Sequence, residues 1–564
     1  MKLTRLMSVA VAGALLAACS GGDINLSPST TVENSNNTTI NGAGIDPNAV
    51  CASYTKDGQT LQGTADTNGN CSYGPAFVGP KNNLTVDLLI PALPNGGAHI
   101  FTSSLFVGET YRTQAELAAA GISEGGDGPT LTIEAGATLA FQTNKDFVII
   151  NRGSRILANG TVDNPITFTS VSDINGTVGP EDVQQWGGMV INGFGVSNKC
   201  SYTGTRGQAG FALAAATECS IEAEGSAGDD ESQYGGDNDD DDSGILRYVL
   251  VKHTGAEVGN GDELNGISFG GVGRSTVIEN LQVYSTYDDG IEMFGGAVDF
   301  TNFVALYVRD DSIDIDEGYI GTISNALIIQ SESDGNQCIE ADGIGSYSSL
   351  DQATKDDFIA RGLNSRPTIN NLTCIISPNI NGTHGEGAGW RFREGIWPRV
   401  NNSLLISSFA ANDTSNATDN FCLRIESVES HEAAINGDLQ LNSVAFACQE
   451  NDRNTSIADR NGTVAFSSEQ AFAEAEGNQF ATVADGTAKD PTAMNDADLL
   501  LLEGAQPVFS TLWSTSLIDG AAPIATTAPT AGDYLGGASL SDDWIAGWTY
   551  GIADTNRGQA LWFE

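Results

Sequence analysis

Two segments of this chain, YDDGIEMFGG (287–296) and RDDSIDIDEG (309–318), match nearly step for step. Asp288 falls on Asp310, Asp289 on Asp311, Ile291 on Ile313, Glu292 on Asp314 and Gly296 on Gly318, at an offset of 22 residues. Repetition at that interval is the mark of stacked structural units. The texture recurs as LRYVLVKHTG (246–255), IENLQVYST (278–286), FVALYVRDD (303–311), ISNALIIQS (323–331), INNLTCIIS (369–377), VNNSLLISS (400–408) and LQLNSVAFA (439–447). Gly, Asn and Asp separate these bursts, with no helical periodicity between them. Uninterrupted spacings are 20–25 residues, and longer ones are filled with polar residues that belong to loops. With two or three short strands per unit, the pattern predicts an all-β chain wound as a right-handed parallel β-helix, a solenoid with capped ends and long polar loops. A sandwich or propeller needs antiparallel hairpins with two-residue turns, and those signals are sparse. Gly at 67 of 564 residues suits such a turn-rich chain.

In a parallel β-helix, matching positions of successive coils stack about 4.8 Å apart, and side chains alternate inward and outward along each strand. In Ile313-Asp314-Ile315-Asp316 the isoleucines then face the core and the aspartates face solvent. Aligning later coils on the same alternation gives two outward rows: Glu292, Asp314, Glu340, Arg391, Arg424, and Phe294, Asp316, Asp342, Arg393, Glu426. Carboxylates stacked at that spacing repel by about 1 kcal/mol per pair in water, and several times more where solvent is partly excluded. Arg391 and Arg393 can cap one end with charge-assisted hydrogen bonds. At the other end Asp288, Asp289, Glu292, Asp310, Asp311, Asp314 and Asp316 crowd adjacent coils, with only Arg309 near. Hard oxygen ligands at such density suit Ca2+, so these seven form the expected metal set. A solvated acidic edge, with aspartates closing turns through their own backbone, explains the same residues without an ion. A second candidate is the aspartate-rich stretch 228–244, where Asp237, Asp239 and Asp241 have calcium-loop spacing but no glutamate at the twelfth position.

The chain opens with Lys2 and Arg5 before an apolar run, Leu6 to Leu16, too short for a permanent membrane span. Residues 1–18 are expected to be a secretory signal. Leu16-Ala17-Ala18-Cys19 resembles the bacterial lipobox, which implies acylation of Cys19 and anchorage in the outer membrane, facing the periplasm or the cell surface. Residues 19–48 then form a polar tether, 49–129 an N-terminal cap region, 130–465 the β-helix, and 466–564 further coils and an aromatic cap with Trp544, Trp548 and Trp562. Within the cap region, TQAELAAAG predicts a short helix with Thr113 as N-cap, Glu116 as capping acid and Gly121 as stop.

The eight remaining cysteines of an exported chain are expected to form disulfides. Pairing in sequence, Cys51 with Cys71, Cys200 with Cys219, Cys338 with Cys374 and Cys422 with Cys448, is the simplest of the possible connectivities. Four scattered histidines and no CxxC motif argue against zinc. A net charge of −47 excludes binding to nucleic acid through its phosphates.

LTIEAGATLAF, SRILANGTVDNPITFTS, QQWGGMVINGFG, the run from YGGDNDDDD to ISFGGVG, DDGIEMFGG, DDSIDIDEG and DDWIAGWTYG together resemble a family of exported bacterial β-helix proteins, often lipoproteins or secreted surface proteins. The resemblance is specific over about 130–320, loose to about 465, and returns near 531–550. It implies fold and location, and no established reaction.

Two functional classes follow. The paired acidic segments resemble the polygalacturonase arrangement, which implies Asp289, Asp310 and Asp311 as acid and base, with Arg391 or Arg393 holding a uronic acid carboxylate. In a lyase, Arg391 would be the base. However, SESDGNQ stands where a Gly-His-Gly segment would follow, no Arg-Ile-Lys occurs, and His384 in THGEG reads as a loop residue. The other class is a lipid-anchored binding or scaffold module. Its ligand face would hold Arg391, Arg393, Trp390 and Trp397 with Tyr347 nearby, and its partner would be a carbohydrate or an outer-membrane transporter. The missing catalytic neighbours favour binding.

Overall fold

The computed structural model describes residues 47–226, 231–259, 262–406, 420–448, 450–480, 502–503, 506–507, 511–512, 534–538, 544–553 and 555–562. The expected signal, Cys19 and nearly all of the tether lie outside the described residues. No helix among the described residues is long and apolar enough to cross a membrane.

The chain winds as a parallel β-helix. One sheet holds ten short strands: β1 (Leu105–Val107), β2 (Val148–Ile150), β3 (Met189–Asn192), β4 (Ile267–Gly270), β5 (Ile291–Phe294), β6 (Ile313–Asp316), β7 (Gln337–Asp342), β8 (Ala388–Arg393), β9 (Phe421–Ile425) and β10 (Glu450–Asp452). They lie in sequence order, each parallel to the next. Because side chains alternate, Val148, Met189, Ile267, Ile291, Ile313, Ile339, Trp390 and Leu423 form one inward column, fully buried.

The second sheet is built on longer strands, among them Gly244–Lys252, Val277–Tyr284, Asp299–Leu306, Thr322–Ile329 and Thr368–Ile375. Each bends once, at Tyr248, Asn280, Asn302, Asn325 and Asn371, where φ is between 50 and 62°. Asparagine tolerates that left-handed backbone better than most residues. Its amide also makes the bend self-stacking: Asn302, Asn325 and Asn371 each donate to the asparagine of the preceding coil at 2.9–3.0 Å. The bend divides the strand into two straight pieces, so each coil has three flat sides.

The parallel stack starts earlier than the expected boundary at 130. Cys71–Tyr73 already pairs in parallel with Ala98–Phe101, and Leu88–Ile90 with Leu131–Ile133. The predicted helix spans Gln114–Ala120, with Thr113 accepting from Glu116 and Gly121 at φ 76°. The four cysteine pairs adjacent in sequence lie at disulfide distance, with Cα separations of 5.5, 5.3, 6.3 and 5.5 Å.

The C-terminal aromatics do not cap the last coil. Trp548 meets Tyr248 edge-on at 5.8 Å, and Tyr550 meets Tyr284 at 4.8 Å. The Gln282 side chain bonds both the N–H and the carbonyl of Tyr550. Trp562 donates to the Gln330 carbonyl at 2.9 Å. The segment therefore straps the outer face of the second sheet in mid-stack, because Leu250, Tyr284, Leu306 and Ile329 there form an apolar strip that needs covering.

Candidate metal centre

The outward column of the ten-stranded sheet changes character along the stack. It runs Phe106, Ile149, Val190, Ser268, Glu292, Asp314, Glu340, Arg391, Arg424. The apolar stretch is covered by Ala223 and Tyr234, which belong to the long excursion between β3 and the Gly244–Lys252 strand. Where that cover ends, the carboxylates begin. The parallel row reads Gly270, Phe294, Asp316, with Asp342 and Arg393 paired further along.

Two residues before the first inward position of each strand, a third column appears. Asn265 Oδ1 accepts the Asp289 N–H at 3.2 Å, Asp289 Oδ1 that of Asp311 at 3.0 Å, and Asp311 Oδ1 that of Gln337 at 2.7 Å. Each side chain thus ties the next coil's turn with one oxygen; Asp289 and Asp311 are buried and bond a neighbouring coil, unlike the solvated aspartates expected to close turns through their own backbone. The second oxygen of Asp289 and Asp311 is left for other work. Asn265 also donates to Glu292 at 2.6 Å and to Glu224 at 3.2 Å.

Two groups of carboxylates converge with ligand oxygens within 4.8 Å of one another: Asp288, Asp289 and Asp310, and Asp289, Asp311 and Asp314. Among the described residues, His384 faces Asp310 and Arg393 acts on Asp314 from the basic end, while two other basic side chains are engaged elsewhere. Arg309 turns to the Glu181 carbonyl and to Asp334, and Lys199 pairs with Glu317. Burial, then the charges of Asp310 and Glu224, pushes Asp288 up to about 7. Burial with Glu317 and Asp342 beside it pushes Asp316 up to about 8. Asp289, Glu292, Asp311 and Asp314 are held well above the usual carboxylate range by burial and mutual repulsion. At neutral pH such a set must bind protons or a cation. All-oxygen, crowded and irregular, it fits a hard divalent ion of the calcium type.

The basic end is closed. Arg391 bonds Glu340 at 3.0 Å and Glu426 at 2.6 Å, Arg393 bonds both Glu340 and Asp342, and Arg424 bonds Glu426. Burial alone would lower both Arg391 and Arg393, but these carboxylates hold them above the ordinary guanidinium value.

His384 enters the site from the loop before β8. Its Nδ1 lies 2.9 Å from Asp310 Oδ2, while Asn336 donates to Asp310 Oδ1 at 2.8 Å. Its Nε2 is buried without a partner, and its ring meets Tyr287 edge-on at 4.8 Å. Burial opposes its charge, yet the hydrogen bond and charge of Asp310 raise it above the usual histidine value.

Other expected site residues lie elsewhere. Asp237, Asp239 and Asp241 do not converge. Asp237 accepts from Leu213 at 3.0 Å, Asp239 is paired with Arg206 at 2.6 Å, and Asp241 accepts from Gly125 at 2.6 Å and Phe194 at 3.0 Å. Asp237 and Asp239 brace the excursion internally and Asp241 ties it to Gly125, each through a protein donor. Trp390 is no ligand platform: it is fully buried, because its strand alternates and Arg391 takes the outward place. Trp397 has the Arg366 guanidinium 3.9 Å from its ring centroid, and Tyr347 bonds Glu429 with Lys355 over its ring.

Asn265 was within reach of the repeat alignment, since NGISFGG (265–271) falls on DGIEMFG (289–295) one coil on. Glu224 and His384 sit on inserted loops, where repeat position carries no information. The family described as a pectate-lyase like beta helix domain matches residues 105–490. No curated protein and no solved structure matches the chain.

Proposed function

Because the chain belongs to the family of pectate-lyase like beta helix domains, we propose that it works as a lipid-anchored outer-membrane module that captures acidic polysaccharide through a calcium-filled acidic column. The observation that carries the reading is the convergence of Asp289, Asp311 and Asp314 within 4.8 Å. A divalent ion there neutralises the column and keeps open valences for a sugar carboxylate. The lipid on Cys19 holds the module at the membrane, where it can pass its ligand to an outer-membrane transporter.

Two features favour capture over cleavage. Asp289 and Asp311 each spend an oxygen on a backbone N–H. Arg391 and Arg393 are held protonated by their carboxylates, which disqualifies either as a lyase base.

One observation favours a second reading, hydrolase or lyase action. In the Asp310–His384 pair a carboxylate orients an imidazole whose other nitrogen is unpartnered, the geometry of a general base. Pectate and alginate, incubated with the protein and Ca2+, separate the two. Calcium-dependent retention of polymer without new reducing ends or unsaturated products supports capture. Product formation that His384→Ala abolishes overturns it, and absence of both retention and products sinks both readings.

A further inference from the structure

Where the excursion after β3 meets the helix Gln352–Ala360, the protein forms an open cavity of about 400 Å3, within the size range of small-molecule sites, roughly 300–1,000 Å3. Its walls are tied together. Asn198 accepts the Gly345 N–H and donates to the Gly343 and Leu363 carbonyls, all at 3.1 Å. Arg361 donates to the Gly204 carbonyl at 2.8 Å and the Tyr202 carbonyl at 2.6 Å.

The lining is unlike the rest of the surface. In a chain with 72 acidic residues, none of the described residues that line this cavity is a carboxylate. Its charged groups are Lys199 and Arg361, and its apolar walls are Tyr202, Leu350, Phe358 and Leu363. Lys199 pairs with Glu317, which is buried, while its own side chain stays 36% exposed. An ammonium has three donors, so this pair leaves it capacity for a further acceptor.

We propose that this cavity binds a small carboxylate with an apolar body, its charge on Lys199 and its body between Phe358 and Leu350. The proposal does not rest on the calcium reading, and its test is run with EDTA so that the two stand or fall separately. Sodium benzoate, sodium hexanoate and neutral benzyl alcohol are titrated calorimetrically into the full chain. Saturable one-site binding of a carboxylate, with benzyl alcohol about tenfold weaker or more, is expected, since a charge-assisted bond is lost. Preference for benzoate assigns a ring-shaped body and preference for hexanoate a chain; both support the site. Lys199→Gln should weaken binding about tenfold. Because that change leaves Glu317 unpaired, Leu350→Trp, which fills the cavity, is the second variant; it should abolish binding with the melting temperature unchanged. No saturable binding, equal binding of the alcohol, or wild-type affinity in Leu350→Trp overturns the proposal.

Discussion

Asp289 accepts the backbone N–H of Asp311 one coil further on, at 3.0 Å. The same carboxylate lies within 4.8 Å of the Asp311 and Asp314 oxygens, so one residue both fastens the stack and charges it. Position and charge can be separated by substitution.

Asp311→Asn keeps an acceptor for the Gln337 N–H and removes one negative charge. Without divalent ions it should raise stability by about 1–3 kcal/mol, since repulsion falls while the bond survives. Asp311→Ala orphans a buried N–H and should be about 1–3 kcal/mol less stable than the asparagine variant. Urea unfolding in EDTA checks the order. In excess Ca2+ the wild type should regain the lead; if Asn stays ahead there, Asp311 is no ligand.

The column also sets a pH dependence. A carboxyl whose folded pKa is raised binds more protons folded than unfolded, so stability falls as pH rises from the unfolded value toward the folded one. Asp288 at about 7 and Asp316 at about 8 place that window between about 4 and 8. In EDTA, stability and with it Tm should drop across this range, at about 1.4 kcal/mol per group for each pH step of one. Added Ca2+ should cancel most of the drop, with its largest effect near pH 8. Superposed melting curves with and without Ca2+ at pH 8 would show that the column holds no ion.

Arg393 bonds both Glu340 and Asp342 in a half-buried setting. Arg393→Gln should cost about 2–4 kcal/mol at pH 7, because Asp342 loses its partner and Glu340 is left with Arg391 alone. Adding Asp342→Asn should recover roughly half of that if the cost is uncompensated charge. Chemical denaturation of the single and double variants measures the coupling.

At the bend, Asn325 has φ 58° and bonds the asparagines on either side at 3.0 and 2.9 Å. Asn325→Gly keeps the backbone and should cost about 1–2 kcal/mol, the worth of the lost bonds. Asn325→Val adds a β-branched side chain in a left-handed conformation and should cost about 2 kcal/mol more. Equal midpoints in urea would mean that the bend does not depend on its residue type.

The stack and its register were legible in the chain itself. Period-two alternation in IDID (313–316) and IEAD (339–342) places their outward residues, which is why Asp314 falls opposite Glu340 and Asp342 opposite Arg393. The same alternation places Trp390 inside, opposite Ile339, and Arg391 outside. The bend asparagines stand in the chain as EN, TN, SN and NN pairs (Asn280, Asn302, Asn325 and Asn371), but a left-handed φ is a property of neighbours as much as of residue type. Glu224 and Lys199, and the contact of the loop residue His384 with Asp310, were not legible because inserted loops return to the stack by long-range packing, which no local period encodes. The strap escaped for the same reason, since Tyr550 bonds a residue 268 positions earlier.

That strap gives assembly a fixed order. Coils can click into place on their predecessors as the chain is made, each needing only the turn before it. The strip around Tyr284, Leu306 and Ile329 stays wet until the last residues arrive, so a polypeptide stalled short of Trp544 would be wound yet sticky, and recognisable as unfinished to any chaperone that binds apolar surface.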